Sequence, residues 1–128
     1  MMTQDQIRQE LRDRYSWSDE AIDIGIRGRF CCEYCGRDLL ASVDDYDSWQ
    51  RDHVIPVSKN GEDEMDNLAV SCKTCNFIKR DWLPSAELIV GKTRDQLVAL
   101  ARNHIQAIRT TKQLTLAETR QLACDLLD

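Results

Sequence analysis

Two pairs of cysteines, His53 and the residues around it hold most of the chemistry available to this sequence. Cys32-Glu33-Tyr34-Cys35 and Cys72-Lys73-Thr74-Cys75 are C-x-x-C pairs with 36 residues between them. Each such turn presents two thiolates from a tight knuckle, and two knuckles complete the tetrahedral set that Zn²⁺ prefers. A closed four-thiolate set leaves no position for a substrate, so the expected zinc is structural. In a small core it also adds folding free energy that apolar burial alone does not supply. Cys31 offers an alternative to Cys32 at C-x-x-x-C spacing; the tighter pair, followed by Gly36, is the expected one. Cys124 falls at an apolar position near the C-terminus and is expected to be a buried small residue.

The segment between the pairs narrows the chemistry. It reads Arg51-Asp52-His53-Val54-Ile55-Pro56, then Lys59-Asn60-Gly61, then Asp66-Asn67-Leu68, and after the second pair Asn76-Phe77-Ile78-Lys79. Any one of these pieces is common, whereas their order is not. Together they resemble the HNH endonuclease family, the ββα-metal nucleases: an Asp-His pair on a first strand, an Asn-Leu before a second cysteine pair, and a His or Asn directly after it. The resemblance covers about residues 30–79. It departs from the family name at the last position, where Asn76 stands for His, giving an H-N-N set of His53, Asn67 and Asn76.

That resemblance implies hydrolysis of a phosphodiester. His53 would be the general base, a task suited to an imidazole because it titrates near neutrality. Neighbours on a strand point to opposite faces, so Asp52 would reach a catalytic metal from the other side of the strand. Asn76, in the first turn of the following helix, would be the second protein ligand, with waters and the phosphate filling the remaining positions. Asn67 would bond the backbone near the strand and hold His53 in orientation. An amide oxygen suits a hard cation, so the expected catalytic ion is Mg²⁺ or Mn²⁺ beside the structural Zn²⁺. His104 has no motif around it and reads as a surface or core-edge residue.

Phosphate contacts are expected from Lys73 and Arg80, which share a helix face with Asn76, and also from Lys79 and Arg51; Arg102 and Arg109 would extend the track. Net charge is −5, against a protein that coats nucleic acid by bulk attraction. The charge is segregated, however: residues 1–71 hold 8 basic and 16 acidic side chains, and residues 72–112 hold 8 basic and 3 acidic. The expected function is a DNA endonuclease that nicks double-stranded DNA with little sequence specificity. The competing reading is a non-catalytic zinc module that binds nucleic acid or protein, which would need none of Asp52, His53 and Asn76. The expected partner is double-stranded DNA, engaged by a monomer or a dimer.

These residues need elements to position them. Capping boxes at Thr3/Gln6 and Thr93/Gln96 start two helices, the second running to about residue 111. Ser18 caps a helix with Ile22 and Ile26 on one face, ending before Phe30. Residues 38–49 read as a loop. Residues 50–57 and 68–71 read as short strands, 62–66 as an exposed acidic loop, and 72–81 as a helix stopped before Pro84. Thr115 and Glu118 would cap a last helix. The fold expected is α+β, a small zinc-bound ββα-metal (treble-clef-like) core over about residues 30–81, flanked by helices over 1–29 and 85–128 in a single domain 1–128. Nothing resembles a membrane span or a secretory leader, so the expected place is the cytoplasm.

Overall fold

The computed structural model describes all residues 1–128. Helices α1 (Gln4–Tyr15) and α2 (Asp19–Gly28) come first, then a short α3 (Val43–Asp47) and strand β1 (Trp49–His53). Strand β2 (Leu68–Cys72) leads directly into α4 (Lys73–Lys79), followed by one turn of α5 (Ala86–Ile89) and the long α6 (Arg94–Asp125). No helix is long and apolar enough to cross a membrane.

The centre is an antiparallel pair, with Trp49 opposite Cys72 and His53 opposite Leu68. Every residue of β2 is buried, as its sequence Leu-Ala-Val-Ser-Cys allows. The C-terminus of α2 approaches β2 so closely that a Cβ on Gly28 would meet Val70 Cγ1 at 2.4 Å, which explains the glycine there. Behind the hairpin, α4 packs on both strands, and α6 packs on α4 while burying Leu97, Val98, Ala101 and Ile105. The result is α+β: a two-stranded sheet and a short helix around a cysteine cluster, with helices before and after.

Both capping boxes form as their sequences indicate, Thr3 with Gln6 and Thr93 with Gln96. Four local expectations change. Residues 38–49 contain α3, whose N-terminus is capped by Ser42 Oγ accepting from Asp45 N. In α2 the buried isoleucines are Ile22 and Ile24, and Ile26 is exposed, because the helix faces β2 through Ile24 and Gly28. The chain does not break at Thr115. That hydroxyl donates to Thr111 O inside a continuous α6, and every residue from Thr111 onward is exposed. Cys124 is therefore exposed, not buried.

Candidate active site and metal centre

Sulfurs of Cys32, Cys35, Cys72 and Cys75 all lie within 4.8 Å of one another. The Cys35 and Cys72 sulfurs are 3.7 Å apart, close to the ~3.8 Å separation of two sulfurs each about 2.3 Å from a tetrahedral zinc. The donor set fits Zn²⁺. Cys72 also caps α4, its sulfur accepting from Cys75 N at 3.3 Å, so β2, the knuckle and the helix are one continuous device. Packed together without an ion, the thiols share protons unequally. Contacts with Cys32 and Cys75 draw Cys72 below the ordinary thiol range, contacts with Cys32 and Cys72 push Cys75 above it, and burial pushes Cys35 up to about 11. A bound dication would take the place of those protons.

Arg109 completes this centre from α6. Its Nε donates to Cys75 Sγ at 3.3 Å and its Nη2 to Cys72 Sγ at 3.6 Å. A four-thiolate zinc has net charge −2, and a guanidinium hydrogen-bonded to its sulfurs offsets part of that. Arg102 clamps the first knuckle, donating twice to Glu33 O. Both arginines tie α6 to the cysteine cluster.

In β1, strand alternation separates Asp52 from His53. Asp52 is 5% exposed and turns into the core. Its Oδ2 accepts from the Tyr34 hydroxyl at 2.5 Å and pairs with Lys79 Nζ at 3.2 Å. Burial raises the Asp52 carboxyl above the usual range, with Lys79 and Tyr34 opposing that rise. Burial and the same carboxylate hold Tyr34 well above its ordinary value, so it is a neutral donor. Lys79, fully buried, also donates to His53 O at 3.0 Å. It is a core counter-ion, and the expectation that it contacts phosphate is corrected. An inward carboxylate needs a partner, and α4 supplies one at the position four after Cys75.

Replacing Lys79 by Met should therefore cost about 3–5 kcal/mol of stability, because a buried charge loses its partner. Asp52→Asn in the same chain should recover part of that loss. Denaturant unfolding of the two single variants and the double variant checks this, and a neutral Lys79→Met would refute the pairing.

His53 and Arg51 face outward together. His53 Nε2 lies 3.0 Å from Asp63 Oδ1, and the Arg51 guanidinium reaches the same oxygen. Arg51 Nε also donates to Glu20 Oε1 on α2 at 2.5 Å. Arg51 is thus held by two carboxylates rather than free for phosphate. Arg80 caps α4 with a φ of 48°, and its guanidinium, on an exposed residue, lies over the Phe77 ring at 4.4 Å. Lys73 is exposed at the N-terminus of α4.

Asn67 closes the loop after β1. Its Oδ1 accepts from Ile55 N at 2.8 Å, and its Nδ2 donates to Ile55 O at 2.9 Å and to Glu62 O at 2.8 Å. Asn76 is half-buried on α4, the helix that packs on β1. His104 stacks flat on Trp82, with ring centroids 4.2 Å apart. Sequence reasoning missed Tyr34 and Asp63, and gave Arg109 to a phosphate track rather than to the cysteine sulfurs. Only the buried Asp52 gave a signal, since it called for donors from somewhere in the core.

Neither a curated protein nor a solved structure matches this chain. Residues 32–81 match the family model described as HNH endonuclease. That stretch runs from the first clustered cysteine through both strands to the end of α4, and the helical flanks lie outside it. Over residues 32–81, then, the chain is similar to the HNH endonuclease family, and the four clustered cysteines lie within that same stretch.

Proposed function

We propose that the chain is a divalent-metal-dependent DNA endonuclease, nicking double-stranded DNA with little sequence specificity, and that residues 1–128 act as one cytoplasmic domain. The observation that supports this best is the placement of His53 at the outward-facing end of β1, with Asp52 and Asn76 on facing elements, inside the segment that matches the family. A non-catalytic zinc module would need only the cysteine cluster.

In this reading His53 removes the proton of a water as it attacks phosphorus, and the 3′ oxygen departs, leaving 5′-phosphate and 3′-hydroxyl ends. Asp52 and Asn76 would hold the catalytic Mg²⁺ or Mn²⁺, an all-oxygen donor pair suited to hard cations. Tyr34 and Lys79 both engage Oδ2 of Asp52, so Oδ1 would be the atom offered to the ion. When bound, the cation supplies positive charge for the phosphate and the leaving oxygen. Because Lys79 already neutralises much of the Asp52 charge, the ion should bind weakly and exchange readily. Asn67 keeps the loop closed beside His53, and Lys73 contacts the DNA backbone.

A single such site attacks one strand per engagement, and a net charge of −5 works against long residence on DNA. Supercoiled plasmid should become open circular before it becomes linear. Activity should require Mg²⁺ or Mn²⁺, disappear on mild chelation that leaves the cysteine-bound zinc in place, and return when the ion is restored. Linear product without an open-circular stage would replace the single-site reading with a dimer. Cutting that survives removal of the exchangeable ion would remove the mechanism.

A further inference from the structure

The loop between the two strands contains four acidic residues, Glu62, Asp63, Glu64 and Asp66. Only Asp63 reaches His53, and the local fold puts it there. Asn67 Nδ2 bonds both Ile55 O and Glu62 O, which draws the start of the loop back onto the end of β1. The turn is so close that a Cβ on Gly61 would sit 1.7 Å from Ile55 O, so only glycine fits. The next residues therefore lie over the outward face of β1, where alternation has already placed Arg51 and His53 side by side.

We infer that Asp63 is the positioning residue of His53: its carboxylate accepts the Nε2 proton, fixes the ring, and leaves the Nδ1 lone pair to take the proton from water. A carboxylate can only accept, so a neutral imidazole 3.0 Å away must bear its proton on Nε2. Asp63 is itself restrained, because Arg51 bonds the same oxygen and is anchored on Glu20 of α2. Hydrogen bonds from His53 and then Arg51 hold the Asp63 carboxyl below the usual range, so it is ionised at neutral pH. Glu62 and Glu64 crowd each other instead, which raises Glu64. As an exposed surface contact, the His53–Asp63 hydrogen bond adds little to stability. Its consequence is orientation: a frame of Glu20, Arg51 and Asp63 links α2 to the imidazole that β1 presents.

The inference rests on His53 being the general base, and the test separates the two. Side-chain ¹⁵N NMR of the histidine-labelled, full-length protein at mildly alkaline pH should show His53 as the Nε2–H tautomer. Asp63→Ala should give a mixture. The same variant should lose about 10–100-fold in kcat on plasmid DNA, the range seen when a partner that orients an imidazole is removed, with KM changed little and the fold intact by circular dichroism. Asp63→Glu should recover part of the rate. A wild-type His53 protonated on Nδ1, or an Asp63→Ala chain that cuts as fast as wild type, overturns the inference. If His53→Ala is inactive while Asp63→Ala is fully active, only the positioning role falls; if His53→Ala cuts normally, the base assignment falls with it.

Discussion

His53→Ala is expected to lose about 10²–10⁴ in cutting rate, the usual contribution of a positioned general base, while keeping its fold and its zinc. The structural reason for expecting a clean loss is that the backbone at this position does the architectural work. His53 O accepts from Lys79, and residue 53 pairs with Leu68 at the end of the sheet; neither depends on the side chain. The imidazole is half-buried, and its recorded partner is the exposed Asp63, which retains Arg51 when the ring is removed. Single-turnover cutting of supercoiled plasmid, with thermal unfolding and zinc content measured on the same preparations, separates chemistry from folding. A variant that cuts at the wild-type rate would remove His53 from the mechanism. A variant that cuts slowly but melts early or loses zinc would show that the ring is part of the core, contrary to its place on the outward face.

What could be read from the sequence was the chemistry with fixed local spacing. Both capping boxes and both C-x-x-C knuckles are complete within three or four residues, so their geometry follows from the chain itself. Ser42 and Asp45 have the same kind of spacing, and that signal for α3 was present in the residues. Thr115 and Glu118 copy it without function, because a threonine inside a helix satisfies its hydroxyl on the preceding turn, as Thr115 does on Thr111 O. No local pattern distinguishes the two cases. The partners of the site were harder still. Arg109 lies 34 positions beyond Cys75, and Tyr34 lies 18 before Asp52. The Lys79 pairing was within reach: Cys75 and Lys79 share a helix face, and a cysteine facing the cluster places the lysine inward, where only a carboxylate would justify it.

Cys72→Ser should be the most damaging single change in the chain, because one sulfur serves three structures. It is a member of the four-thiolate cluster, the N-cap of α4, and an acceptor for Arg109 of α6. It is also fully buried, so water cannot replace what is lost. Structural zinc contributes on the order of 10–16 kcal/mol of apparent binding free energy in small zinc modules. Whole domains are stable by only about 5–15 kcal/mol, so loss of the ion should unfold residues 32–81 rather than loosen them. Wild-type protein should contain about one zinc per chain. Removal by a strong chelator should abolish its helical circular-dichroism signal at moderate temperature, and zinc alone should restore it. Acidification should release the ion as protons compete for the thiolates. Cys124→Ser, at an exposed position of α6, should match wild type in zinc content and melting. Cys31→Ser should do the same, because the sulfur of Cys31 lies outside the cluster that Cys32 joins. A Cys72→Ser chain that folds with a full zinc complement would mean that three thiolates and another ligand suffice, and a loss at Cys31→Ser equal to that at Cys72→Ser would move the first knuckle by one residue.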